Sequence, residues 1–148
     1  TSTCLAGGFP IGAVMTRLKD IFAPGDHGST FGGNFLSTRA ALEVLEILKE
    51  EKQSGRLDTT ILYFSQKLQA LQKSYPEIFI EEIGLGLMRG LRVRDLDTLT
   101  QFLQKAYENV VLVLKSGKNT ARFLPSLTIT KEEIDEGFNR IETALKTM

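Results

Sequence analysis

Two groups of side chains in this 148-residue sequence have types and spacing that suit chemistry. The first is Pro24-Gly25-Asp26-His27-Gly28-Ser29-Thr30-Phe31-Gly32-Gly33-Asn34, in which the Ser29 and Thr30 hydroxyls sit among glycines. Hydroxyls beside glycine N–H groups can receive phosphate oxygens without steric obstruction. The same composition also suits an Ω-loop with no ligand, and the residues alone leave both readings open. The second group is Ala121-Arg122-Phe123-Leu124-Pro125-Ser126-Leu127, where Arg122 stands at the end of a short strand-like segment. Taken alone, it is either an exposed charge or a ligand contact. His27 reads as a packing or hydrogen-bonding residue, and Ser29 lacks the Asp and His partners that would make it a nucleophile. Cys4 has no activating neighbour. Arg89 and Arg92 read as the solvated face of a strand.

Composition narrows the classes. Lys plus Arg and Asp plus Glu are 18 each, so the formal net charge is zero. That balance argues against a nucleic-acid partner held by a strongly basic face. One cysteine excludes an internal disulfide, and with one histidine it leaves no basis for a metal site. No apolar run approaches the ~20 residues that span a bilayer, and no secretory n-region opens the chain, so a cytoplasmic, membrane-free protein is the expectation. The opening Thr1-Ser2-Thr3-Cys4 lacks an initiator Met and reads as the interior of something longer.

The elements that must position these groups follow from periodicity. The apolar run at 11–15 predicts a strand, and a helical turn is expected over 17–22. Leu36, Ala40, Ala41, Val44, Leu45, Ile47 and Leu48 recur at helical spacing over 34–50, with Asn34 or Ser37 as N-cap. Gly55 interrupts, and Ile61, Leu62, Phe64, Leu68 and Leu71 mark a second helix over 58–74 that Pro76 ends. Extended segments are predicted at 78–80 and 85–93, a helix over 95–109, and strands at 110–114 and 121–125. Thr130 with Glu133 has capping-box spacing and opens a closing helix with Ile134, Phe138, Ile141 and Leu145 inward. A boundary falls near 52–57 or near Pro76.

In order and spacing, Gly7-Gly8-Phe9-Pro10-Ile11-Gly12-Ala13, the 27–34 run and the 121–127 run resemble the C-terminal third of class III pyridoxal-phosphate-dependent aminotransferases. Gly84-Leu85-Gly86-Leu87-Met88-Arg89-Gly90 is similar to a strand of that family's small domain. The resemblance covers essentially the whole chain, and members acting on acetylornithine are most similar, with those acting on ornithine next.

The resemblance implies an α/β fold of the type I pyridoxal-phosphate class. Residues 1–55 would be the end of the large cofactor-binding domain and its connecting helix, and 56–148 the small α+β C-terminal domain. It further implies pyridoxal 5'-phosphate as cofactor and a homodimer with active sites at the subunit interface. The substrates would be an amino acid (N-acetylornithine or a related ω-amino acid) and 2-oxoglutarate, in arginine biosynthesis. Thr30, with Ser29 beside it, would contact the cofactor phosphate of the opposite subunit, and Arg122 would pair with a substrate carboxylate.

Two departures stand out. The family's Schiff-base lysine should fall at Thr3, and no lysine precedes Lys19. No catalytic residue is therefore assigned, and the chain by itself is expected to be inactive, since Thr can neither form that bond nor shuttle its protons. The alternative is a truncated, non-catalytic protein or a partner-binding module. Phe35 also replaces a proline that usually follows Asn34, which alters the helix entry.

Overall fold

Gly55, at φ +71°, separates two long helices, α1 (Phe35–Gln53) and α2 (Arg56–Ser74). The computed structural model describes residues 4–148, and the chain divides there into two units, Thr1–Ser54 and Gly55–Met148. Thr3 lies outside the described residues.

In the first unit a 3-10 turn, Cys4–Ala6, precedes a long irregular stretch that ends at α1. Asn34 caps α1, its side-chain oxygen accepting from the Ser37 N–H at 3.0 Å. Of the candidate caps, then, Asn34 acts and Ser37 is buried beside it. Two expectations fail in this unit. Residues 11–15 form no strand, with Ile11 alone making an isolated bridge, and no helical turn forms over 17–22. A five-residue apolar run becomes a strand only where a neighbour takes up its backbone groups. The apolar stripe of α1 is also less covered than its periodicity predicts. Ser37 and Ala41 are buried, whereas Leu36, Leu45 and Ile47 are exposed.

The second unit is a four-stranded antiparallel sheet with three helices on one face. Strands β1 (Phe79–Leu85), β2 (Met88–Val93), β3 (Leu114–Ser116) and β4 (Thr120–Phe123) lie in the order β1-β2-β4-β3. Helices α2, α3 (Leu96–Glu108) and α4 (Lys131–Leu145) supply the other half of the core. Phe64, Leu68 and Leu71 come from α2, Leu99 and Phe102 from α3, and Ile134, Phe138 and Ile141 from α4. They meet Leu91 and Val93 of β2 and Ala121 and Phe123 of β4. Edge-to-face contacts join Phe79 to Phe102 at 5.3 Å and Phe64 to Phe138 at 5.7 Å. Truncating such a buried ring typically costs about 3–5 kcal/mol.

Turn chemistry sets the register. Gly84 takes φ +109°, and a Cβ there would stand 2.2 Å from the Met88 carbonyl oxygen. Gly86, at φ +61°, opens the two-residue loop that pairs Leu85 with Met88. Asp95 caps α3, and the capping box of Thr130 and Glu133 forms at the start of α4 as expected.

The exit of α3 corrects another expectation. Residues 110–113 are not a strand, and β3 begins only at Leu114. Val110 N–H bonds to the Tyr107 carbonyl and Val111 N–H to that of Ala106, both at 2.9 Å, with Val110 at φ +61°. This is a Schellman termination carried by a valine, in a position that usually takes glycine.

Candidate functional site

Within the first unit, the two glycine-bearing stretches come together. Pro10, Gly12 and Val14 line one side of a shared concavity, and His27, Ser29 and Gly33 line the other. Asp26 braces the loop, its carboxylate accepting from the Ala23 N–H at 2.7 Å while its own N–H donates to the Ala23 carbonyl. Gly33 takes φ +70° just before the Asn34 cap. A Cβ on Gly32 would meet the Ser29 Cβ at 2.9 Å, so the loop folds back on itself only with glycine there. Ser29 and Thr30 are both exposed, and Thr30 is not among the residues lining the concavity. His27 is exposed, and its ring lies 6.1 Å from that of Phe22.

Arg122 lies in the second unit, on β4, opposite Gly90 of β2 and Leu114 of β3. Its neighbours Ala121 and Phe123 point into the core, so by strand alternation Arg122 projects from the face that no helix of this unit covers. Arg92 and Thr120 share that face. The two arginines differ. Arg92 Nη1 reaches Glu81 at 2.7 Å, whereas Arg122 has no ion-pair partner among the described residues. The Nε of each is buried and makes no hydrogen bond. A half-buried guanidinium without a counter-ion is a costly arrangement that an incoming carboxylate would relieve.

Arg89 is not the solvated residue its spacing suggested. Its guanidinium pairs with Glu82 and donates to the Ser65 hydroxyl of α2 at 2.8 Å, and both charged side chains are largely buried. The half-buried group of Tyr63, Lys67 and Asp135 was not singled out by sequence either. Its only signal is helical spacing of Tyr63 and Lys67, and their partner is 68 or more residues away. Among the described residues no cluster of His, Cys, Asp and Glu suits a metal ion, and no helix is long and apolar enough to cross a membrane.

A four-stranded antiparallel sheet with three helices on one face, following a glycine-rich unit, matches part of the pyridoxal-phosphate transferases of fold type I. The chain belongs to the class III aminotransferase family, whose model matches residues 1–145. It is 58% identical over 142 residues to the acetylornithine aminotransferase of Wolinella succinogenes, covering 96% of this chain and 36% of that protein. The acetylornithine aminotransferase of Caldanaerobacter subterraneus is 41% identical over 143 residues, covering 95% and 36%. Among solved structures, the acetylornithine aminotransferase of Elizabethkingia anophelis matches with a TM-score of 0.74 at 28% identity, over 87% of this chain and 34% of that one. The ornithine aminotransferase of Toxoplasma gondii matches at 0.69 and 33%, over 84% and 30%. The chain thus spans about a third of the length of the relatives it matches.

Proposed function

We propose that this chain works as the C-terminal part of a homodimeric, cytoplasmic transaminase. The complete enzyme moves an amino group from N-acetylornithine or a related ω-amino acid to 2-oxoglutarate. When bound, pyridoxal phosphate supplies the electron sink that such a transfer needs. In this reading residues 1–55 belong to the cofactor-binding domain and 56–148 form the small domain. Thr30, with Ser29 beside it, donates hydrogen bonds to the cofactor phosphate of the opposite subunit, and the glycines leave room for its oxygens. Arg122 receives a substrate carboxylate.

The observation that carries the reading is the lone guanidinium of Arg122 on the helix-free face, while its neighbour Arg92 is neutralised by Glu81. The fit to the cofactor is one-ended. The exposed hydroxyls and the glycine at 32 suit its phosphate, but no amine stands near the start of the chain to hold its ring. The isolated chain is inactive on this view. Thr3 in the lysine position is also what favours the second reading, a non-catalytic or partner-binding product.

The test is binding, which does not require turnover. In the complete polypeptide, Arg122→Lys keeps the charge and loses the fork. The dissociation constant for 2-oxoglutarate, read by titration calorimetry, should rise about tenfold or more. An unchanged constant overturns the carboxylate role.

A further inference from the structure

Thr120 is only 3% exposed, although it sits on the sheet face that no helix of its unit covers. Something on that face must lie over it. The register places Arg92 directly opposite and Arg122 two residues along the same strand, both with long aliphatic stems. Both arginines have a fully buried Nε with no hydrogen-bond partner. That is the state expected if the stems lie down along the sheet and only the outer guanidinium nitrogens reach out.

What lets Thr120 sit low is its diagonal neighbour. A Cβ built on Gly90 would stand 2.5 Å from the Thr120 Cγ2 and 3.3 Å from the Ile83 Cγ1. Gly90 is also the direct cross-strand partner of Arg122. The φ of Gly90 is not in the left-handed region, so the glycine is required for space and not for backbone conformation. Glycine inside a strand weakens it, and its use here marks a close approach.

We infer that Gly90 and Thr120 are positioning residues for Arg122: the bare Cα of Gly90 accepts the Thr120 methyl group, and Thr120 then seats the Arg122 stem at the height from which its fork meets a carboxylate. The inference rests on the carboxylate reading of Arg122. Its consequence is that the substrate contact is tuned by two residues that touch no substrate.

The experiment uses the complete polypeptide loaded with pyridoxal phosphate and reads the dissociation constant for 2-oxoglutarate. Gly90→Ala should raise it about ten- to a hundredfold, the scale of an ångström-sized misplacement. Adding Thr120→Ser, which removes the displaced methyl, should recover much of that loss. Should Gly90→Ala fail to fold, Thr120→Ala empties the seat without a clash and should weaken 2-oxoglutarate binding, whereas Thr120→Val keeps the methyl and should rescue it. Retention of pyridoxal phosphate should not follow these changes. A thermal midpoint that falls in Gly90→Ala or Thr120→Ala with an unchanged dissociation constant overturns the inference, as does parallel loss of cofactor. If Arg122→Lys weakens binding and Thr120→Ala does not, the positioning role alone is lost. If neither does, the carboxylate reading itself has failed.

Discussion

Lys67 of α2 and Asp135 of α4 meet at 2.6 Å, and the Tyr63 hydroxyl donates to the same carboxylate oxygen at 2.6 Å. The Lys67 hydrogen bond, with that of Tyr63 behind it, holds the Asp135 carboxyl below the ordinary carboxylate range. Bonding to Asp135 raises the pKa of Lys67, and it also raises that of Tyr63. Lys131 stands over the Tyr63 ring at 5.3 Å and completes the patch.

The pH dependence of stability follows with a definite sign. Asp135 is lowered on folding, so its contribution is present above its unfolded pKa, about 3.9, and is lost as pH falls through the folded value. Lys67 and Tyr63 are raised, so theirs is full below about pH 10 and is lost as pH rises through their folded values. Asp135→Asn should flatten both limbs of a urea-midpoint-versus-pH curve. A variant curve parallel to the parent at both ends would contradict this.

Val110 holds a left-handed conformation and is 78% exposed. Val110→Gly removes the steric cost of that conformation, sacrifices little burial, and pays back part of the gain in unfolded-state entropy. The net effect should be a stabilisation of about 0.5–1 kcal/mol. Chemical denaturation with a lower midpoint in the variant would refute it.

On the role proposed for Thr30, its replacement by alanine (Thr30→Ala) in the complete polypeptide removes a hydroxyl donating to a charged phosphate, a loss of about 1.5–3 kcal/mol. Retention of pyridoxal phosphate should weaken by roughly ten- to a hundredfold, with 2-oxoglutarate preference unaltered. Dialysis against buffer followed by cofactor quantitation measures it. Arg122→Lys should show the opposite split, and equal cofactor loss in both variants would mean the two roles are mis-sorted.

The chain alone should form no Schiff base near its start. Treatment with pyridoxal phosphate and borohydride, followed by peptide mapping, should leave every side chain of residues 1–16 unlabelled, since the first amine side chain is that of Lys19 and only the α-amino group can react ahead of it. A stable label on a side chain of that peptide would show a nucleophile that the residue types do not provide; labelling of the α-amino group or of surface lysines elsewhere would not.

Periodicity and caps made the second unit readable. Helical spacing over 95–109 marks α3, Thr130 ahead of Glu133 announces α4, and the inward residues of α4 are buried as their spacing requires. The 110–114 run misleads because β-branched composition cannot reveal that Val110 closes a helix in a left-handed turn. Arg89 misleads because Glu82 and Ser65 reach it from a neighbouring strand and a helix. Motif spacing singles out Ser29, Thr30 and Arg122 as candidates. It cannot reveal the seating proposed for Arg122, since Gly90 and Thr120 meet only through cross-strand register.

The two outer strands of the sheet have a bearing on how copies of the chain could stick together. β1 has a break in register between Phe79 and Glu81 and carries Glu81 and Glu82, while β3 is only three residues long and includes Lys115. An irregular margin on one side, its two glutamates each paired with an arginine of β2, and a very short one on the other make poor templates for a further backbone ribbon. Growth into a continuous cross-strand polymer is therefore disfavoured at both margins, even though each leaves N–H and C=O groups unpaired.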